Sequence, residues 1–217
     1  MKAVIFDLDG TLVESLPGLT DALNRLLTDL GRPTEPASVV RSYIGDGQWM
    51  LIRRALPTEE FSDTQIDELQ APFQRHYTEA WPEGTVIYEG LMPMLQQLHE
   101  KGVQLGVLSN KKHPFTVEIV EHLFGRELMP LIYGQRDGIT KKPDPAALIS
   151  ICEETGIPAS EVCYIGDSTV DLETAKSAGT KAIGVTWGYH DKPRLEPYGF
   201  PLCDSVADLQ DVLMKAL

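Results

Sequence analysis

Val4-Ile5-Phe6-Asp7-Leu8-Asp9-Gly10-Thr11 is the stretch from which the rest of the chain can be read. An apolar run ends abruptly in two acids and a glycine. In a strand, residues two apart point to the same side, so Asp7 and Asp9 share a face at the strand's carboxyl end. A lone Asp there would read as a solvated turn residue, with Gly10 making the bend. Two carboxylates at the end of a buried strand are costly unless paired or bound to a metal, and the pair points to chemistry.

Further apolar runs lie at 103–108, 131–133, 162–165 and 181–185, and the first strand spans 3–8. They are rich in Val and Ile and mostly not alternating, as expected of strands covered on both faces. Helical patterns separate them. Leu91, Leu95 and Leu98 mark one, closed by Gly102; Val117, Val120, Leu123 and Phe124 mark the next. Ala147, Leu148 and Ile151 mark a third before Gly156, and Leu172, Ala175 and Ala178 a fourth before Gly179. Ser205 to Asp208 has the form of a capping box for a last helix. This alternation predicts an α/β class with a Rossmann-like parallel sheet. Residues 15–85 differ. Leu19, Leu23, Leu26, Leu27 and Leu30 form one helical stripe, and Ser62 to Gln65 is a capping-box pattern before Ile66, Leu69, Phe73, Tyr77 and Trp81. The expected organisation is a core of residues 1–14 and 86–217, with a helical domain of residues 15–85 inserted after the first strand.

The 217 residues carry 19 Lys and Arg against 32 Asp and Glu, a formal net charge of −13. That balance argues against nucleic-acid or anionic-membrane partners, which select basic surface. A small phosphorylated molecule remains compatible, because screening over about 8 Å leaves local charge to decide. Cys152, Cys163 and Cys203 form no CxxC pair and no zinc spacing. Asp7 interrupts the amino-terminal apolar run, and no stretch reaches the roughly 18 apolar residues of a membrane span. These features predict a cytoplasmic protein, monomer or homodimer.

The other strand ends are polar as well. Val107-Leu108 runs into Ser109-Asn110. The third strand is followed by Lys141-Lys142-Pro143-Asp144-Pro145, and the fourth by Gly166-Asp167-Ser168-Thr169-Val170-Asp171. In isolation Ser and Asn are turn formers, a Lys is surface, and Ser168 or Asp167 with Asp171 suits a helix start. In one parallel sheet, however, four successive ends converge on one spot. Their carboxylates select a hard cation, Mg²⁺ by preference. With Asp9 protonated, Asp7, Asp167, Asp171, a divalent cation and Lys142 sum to about zero, so a phosphate dianion can enter. No GxSxG nucleophile motif and no Walker P-loop is present.

In order, DxDGT, Ser-Asn, Lys-Pro-x-Pro and GDSxxDxxxAxxAG resemble the four motifs of the haloacid dehalogenase superfamily, and the helical insertion resembles its cap. Ser109-Asn110-Lys111, Lys142-Pro143-Asp144-Pro145 and Val185-Thr186-Trp187-Gly188-Tyr189 look most like the phosphoglycolate-phosphatase type, although Glu14 stands where such relatives more often have Asp. The resemblance implies a Mg²⁺-dependent phosphomonoester hydrolase. Asp7 would attack phosphorus and form an aspartyl-phosphate. Asp9 would protonate the leaving oxygen and then activate water. Asp7, the Asp9 carbonyl and Asp167 would hold Mg²⁺, and Asp171 would orient its waters or Lys142. Ser109 and the backbone near Asn110 would hold phosphoryl oxygens, and Lys142 would stabilise charge.

The substrate would be a small phosphorylated metabolite, phosphoglycolate favoured. Its readers are sought around Gly45 and Gln48 and among Arg41, Arg53 and Arg54, with Lys111, His113 and His190 as rim candidates. A β-phosphoglucomutase-like mutase, a pyrophosphatase or a nucleotidase share the site chemistry. A phospho-receiver signalling module shares the residue types, but lacks the insertion and places adjacent acids on its first strand.

Overall fold

The computed structural model describes the whole chain, residues 1–217. It divides into two compact units, Met1–Leu12 with Ile87–Leu217, and Val13–Val86. The first contains a six-stranded sheet of β1 (Ala3–Phe6), β4 (Gln104–Lys112), β5 (Leu131–Gln135), β6 (Val162–Gly166), β7 (Lys181–Val185) and β8 (Leu202–Cys203). The spatial order is β5-β4-β1-β6-β7-β8 and every pairing is parallel. The chain builds outward from β1 to β5, then returns to the other side of β1 for β6. The order therefore reverses at β1, which is where open α/β sheets bind ligands.

The helices of this unit are α5 (Leu91–Glu100), α6 (His113–Leu123), α7 (Ala146–Thr155), α8 (Thr169–Ala178), the short α9 (Lys192–Leu195) and α10 (Val206–Lys215). Ala3, Ile5, Val162 and Tyr164 from the central strands form one buried cluster with Leu148 and Ile151 of α7 and Leu172 and Ala175 of α8. Every residue of β1 and β6 is buried, which is why neither strand alternates in sequence.

Several strand readings change. β1 stops at Phe6 instead of Leu8, so Asp7 and Asp9 lie beyond the strand and do not share a strand face, and β5 runs on to Gln135. β4 does not stop at 108 but continues through Ser109, Asn110 and Lys111 to Lys112, with a register shift against β5 between Leu108 and Lys112. Polar residues that read as a turn are strand because β5 pairs with them again beyond the irregularity. β8 has only two residues, too few for any periodicity. Ser205 caps α10 by accepting from the Asp208 N–H, which is one half of the capping box expected there; Asp208 Oδ2 takes the Ser205 hydroxyl at 2.7 Å.

The second unit is helical: α1 (Leu16–Asp29), α2 (Ala37–Val40), α3 (Gln48–Ala55) and α4 (Asp63–Gly84), with a 3-10 turn at Arg41–Tyr43. The chain enters and leaves it along two short paired strands, β2 (Val13–Glu14) and β3 (Val86–Ile87). Leu19, Leu23, Leu26 and Leu27 of α1 and Ile66, Phe73, Tyr77 and Trp81 of α4 supply its core. Gly18 and Gly84 let these two helices touch, since a Cβ on Gly84 would strike the Gly18 backbone. Ser62 and Gln65 form the full capping box at the start of α4. Glu14 takes the Leu16 N–H at 2.9 Å and so serves the exposed start of α1. No helix is long and apolar enough to cross a membrane.

Candidate active site

Sheet register brings the polar strand ends together. Phe6 is aligned with Val107 on one neighbour and Ile165 on the other. Asp7 therefore follows β1 at the level of Leu108 and Gly166, one residue before Ser109 on β4 and Asp167 beyond β6, with the Asp7 N–H still bonded to the Ile165 carbonyl at 2.8 Å.

Lys142, from the turn before α7, lies buried in the middle of this group. Its Nζ is 2.6 Å from Asp171 Oδ1, 2.9 Å from Asp7 Oδ1, 2.8 Å from the Tyr164 hydroxyl and 3.2 Å from the Leu108 carbonyl. Burial by itself would disfavour the ammonium, but the adjacent Asp171 and Asp7 outweigh it and raise its pKa, so Lys142 is charged. Asp171 does two jobs. Oδ1 faces Lys142, while Oδ2 accepts from the Ser168 N–H and hydroxyl at the start of α8. The helix-cap reading and the ion-pair reading of this residue both hold.

Asp167 accepts from the Thr11 hydroxyl at 3.1 Å and the Tyr189 N–H at 2.6 Å. Two glycines make room for it. A Cβ on Gly188 would collide with Asp167 and with the Gly10 carbonyl. Gly10, at φ +86°, takes a backbone conformation that side chains disfavour and would crowd the same carboxylate.

Oxygens of Asp7, Asp167 and Asp171 lie within 4.8 Å of one another, all buried. Burial pushes the Asp7 carboxyl up to about 7; Lys142 opposes this and Asp171 adds to it. Burial, then Asp171 and Asp7, push Asp167 well above the usual carboxylate range. Three crowded acids against one ammonium form a donor set suited to a hard divalent cation.

The Asp9 carboxylate stands outside that trio. Both its oxygens accept from Lys111 Nζ at 2.9 Å, and the two side chains are only 13% and 7% exposed. This changes the charge balance drawn from the strand ends, which left Lys111 out. Asp7, Asp9, Asp167 and Asp171 against Lys142 and Lys111 leave a formal −2, which one divalent cation would cancel.

The Asn110 side chain is committed within the protein. Its amide donates to the Lys142 carbonyl at 3.1 Å and accepts from the Lys142 N–H at 2.9 Å. The side chain is spent on placing Lys142, leaving only its backbone for a substrate. Ser109 Oγ accepts from the Lys111 N–H at 3.2 Å and keeps a donor to offer.

The expected substrate readers of the helical unit are tied into that unit. Arg53 donates to the Phe61 and Leu56 carbonyls, both at 2.6 Å, so its guanidinium cross-links its own loop. Arg54 holds the Tyr43 carbonyl and pairs with Asp46. Gln48 donates to the Gln70 carbonyl at 3.1 Å. Gly45 sits at φ +116° in the loop before α3. On the α/β unit, His113 and His190 each accept a backbone N–H through Nδ1, from Gly134 and Thr169.

Two residues of the site carry more than their sequence reading gave them. Tyr164 was read only as strand, although a phenol amid aliphatic neighbours in a buried strand must find a partner. Lys111 reads from sequence as a rim residue, whereas its ammonium pairs with Asp9 inside the site.

Residues 4–185 match the family described as haloacid dehalogenase-like hydrolase. A phosphoglycolate phosphatase of Pseudomonas syringae pv. tomato is 37% identical over 201 residues, covering 90% of this chain and 73% of its own. One of Rhodospirillum rubrum is 34% identical over 218 residues, covering 98% and 90%. Among solved structures, a predicted phosphoglycolate phosphatase from Haemophilus somnus superposes with a TM-score of 0.89 at 27% identity, covering 98% of both chains. With four motifs on adjoining strand ends and a match over most of its length, the chain belongs to the haloacid dehalogenase-like hydrolase family, as an enzyme of the phosphatase type.

Proposed function

We propose that the protein hydrolyses a small phosphomonoester through an aspartyl-phosphate on Asp7, with Mg²⁺ as cofactor and phosphoglycolate as the favoured substrate. The buried trio of Asp7, Asp167 and Asp171 around Lys142, with Asp9 beside it, carries this reading. The names of the relatives favour phosphoglycolate.

Asp7 and Asp167, with the Asp9 carbonyl, would hold the cation, and Asp171 would fix Lys142 beside it. Bound there, a divalent ion supplies neutralisation of charge on the phosphoryl oxygens. The chain's own groups do the rest. An Asp7 carboxylate oxygen attacks phosphorus as the bond to the leaving oxygen breaks, and Asp9, entering this step protonated, gives that oxygen its proton. Asp9 then takes a proton from water as the water oxygen attacks the same phosphorus, and the Asp7 carboxylate and phosphate are released. Lys142 balances charge on Asp7 throughout, and Ser109 with nearby N–H groups orients the phosphoryl oxygens. The two units correspond in this reading to the α/β core and the helical cap of the family. The free thiols fit a reducing, cytoplasmic setting.

The test is phosphate release from a panel of phosphorylated metabolites, with Mg²⁺ and with chelator, by the wild type and Asp7→Asn. We expect Mg²⁺-dependent turnover with phosphoglycolate foremost, and a loss of at least about 1,000-fold in folded Asp7→Asn. Retained turnover in that variant removes Asp7 as nucleophile, and undiminished activity in chelator removes the metal.

A further inference from the structure

We infer that Lys111 reads an anionic group on the leaving portion of the substrate, so that the preferred phosphomonoesters carry a carboxylate one methylene from the ester oxygen. This rests on the phosphomonoesterase reading above and names a residue that sets its specificity.

The first support is position. Lys111 Nζ lies 2.9 Å from both oxygens of Asp9. Whatever oxygen leaves must come within hydrogen-bond reach of Asp9 to be protonated, which puts it within about 6 Å of that ammonium. A carboxylate one methylene further on falls within the lysine's reach. Lysine suits the task, being a point charge on a flexible stem with three rotatable donors, able to share its ammonium between Asp9 and a second carboxylate.

The second support is the backbone. β4 extends past Leu108 through Ser109, Asn110 and Lys111, with its register against β5 shifted between Leu108 and Lys112, where a strand can re-aim its side chains. Asn110 goes to the Lys142 peptide, while the Ser109 hydroxyl stays within 3.2 Å of the Lys111 N–H. A group that holds the phosphoryl oxygens and a cation beside the leaving oxygen are thus two residues apart on one strand.

The third support is burial and charge. A lysine side chain with only 7% exposure is kept inside by a partner. Lys142, the other cation of the site, already lies against Asp7 and Asp171, and Arg53 is bound to carbonyls of its own loop. A substrate with a third negative charge needs a cation away from the phosphoryl pocket, and Lys111 is where the structure places one.

Two measurements test this. The first is the ratio of kcat/KM for phosphoglycolate to that for 2-hydroxyethyl phosphate, which has a neutral hydroxymethyl group in place of the carboxylate. Lys111→Met is expected to lower this ratio about 10- to 100-fold through KM for phosphoglycolate. An unchanged ratio, however far both values fall, would mean that Lys111 only positions Asp9 and overturns the inference. The second uses the unaltered protein and does not depend on a variant folding. 3-Phosphonopropionate should inhibit at least about tenfold more strongly than propylphosphonate, and equal inhibition overturns the inference. Failure of the wild type to hydrolyse any phosphomonoester would instead strike the underlying reading, so the two failures are distinguishable.

Discussion

The α/β unit and the helical unit use the same device for different ends. In the helical unit, Asn24 donates to the Glu35 carbonyl at 2.9 Å and accepts from the Glu35 N–H at 2.8 Å, which closes the chain after α1. In the α/β unit, Asn110 makes the same two bonds to Lys142. One clamp holds a loop and the other holds a charge. The difference follows the distribution of buried polarity. The buried acids Asp7, Asp167 and Asp171 and their ammonium, Lys142, all belong to the α/β unit, whereas the helical unit buries the hydroxyls of Ser15 and Thr85 and one charged side chain, Arg53, against backbone carbonyls. Buried charge is expensive unless partnered. The clustering of several buried charges at one set of strand ends marks where stability has been given up for chemistry.

The sharpest way to break that contrast is to remove the ammonium at its centre. Lys142→Met leaves Asp7 and Asp171 buried without their cation. We expect a loss of about 3–5 kcal/mol of stability, measured by denaturant unfolding, and of at least about 100-fold in kcat/KM. If the variant keeps wild-type stability, the cluster does not depend on this pair. The clamps come next. Asn110→Ala strands two backbone groups of Lys142 and should cost about 2–4 kcal/mol and about 10- to 100-fold in kcat/KM, because a displaced Lys142 misaligns the reacting groups. Asn24→Ala should cost about 1–2 kcal/mol, since its bonds are only partly buried, and leave kcat/KM unchanged. Equal kinetic losses in the two variants would erase the distinction between the clamps.

What could be read in the sequence, and what could not, divides along the same line. The apolar run before Asp7 and the motifs after three other runs identify the parallel sheet, because burial on both faces leaves a composition signature that needs no partner strand to recognise. Asp7, Asp167, Asp171 and Lys142 converge because register aligns Phe6 with Val107 and Ile165. The order of the motifs already implied that alignment. Side-chain commitments were not legible. Whether Asn110 faces a substrate or the Lys142 peptide depends on the path of residues 136–145, and whether Arg53 is a reader or a cross-link depends on the loop that holds Phe61. Local sequence fixes neither. β8 escaped because two residues carry no period, and the tail of β4 because Ser109 and Asn110 have turn chemistry that pairing with β5 overrides.

A smaller effect separates the units by pH. Burial raises the Asp7 carboxyl to about 7 and raises Asp167 as well. For acids whose folded pKa lies above the unfolded value near 4, the unfolded chain releases its protons first. Between about pH 4 and 7 the folded state therefore binds more protons, and stability falls as pH rises. The raised Lys142 contributes a term that is lost only in strong alkali, far above this window. In chelator, the melting temperature should be several degrees higher at pH 5.5 than at pH 7.5. Asp7→Asn should flatten the difference, and excess Mg²⁺ should restore the wild type at pH 7.5. Parallel profiles for wild type and Asp7→Asn in chelator would remove Asp7 as the source.

The smallest effect tests the helical unit itself. Arg53 is a cation on α3, where its sequence reading makes it a partner for a substrate carboxylate. Its guanidinium instead donates to the carbonyls of Leu56 and Phe61, with Asp63 3.9 Å away. Its Nε is buried without a partner, but both terminal nitrogens are given to its own backbone, as in a cross-link. Arg53→Gln removes the two bonds and should cost about 1–2 kcal/mol of stability. With the fold intact, kcat/KM for phosphoglycolate should stay within about threefold of wild type, because no step of the reaction passes through this side chain. A loss confined to KM, of tenfold or more and larger for phosphoglycolate than for 2-hydroxyethyl phosphate, would return Arg53 to the substrate and show that the helical unit gives up one of its own clamps to bind it.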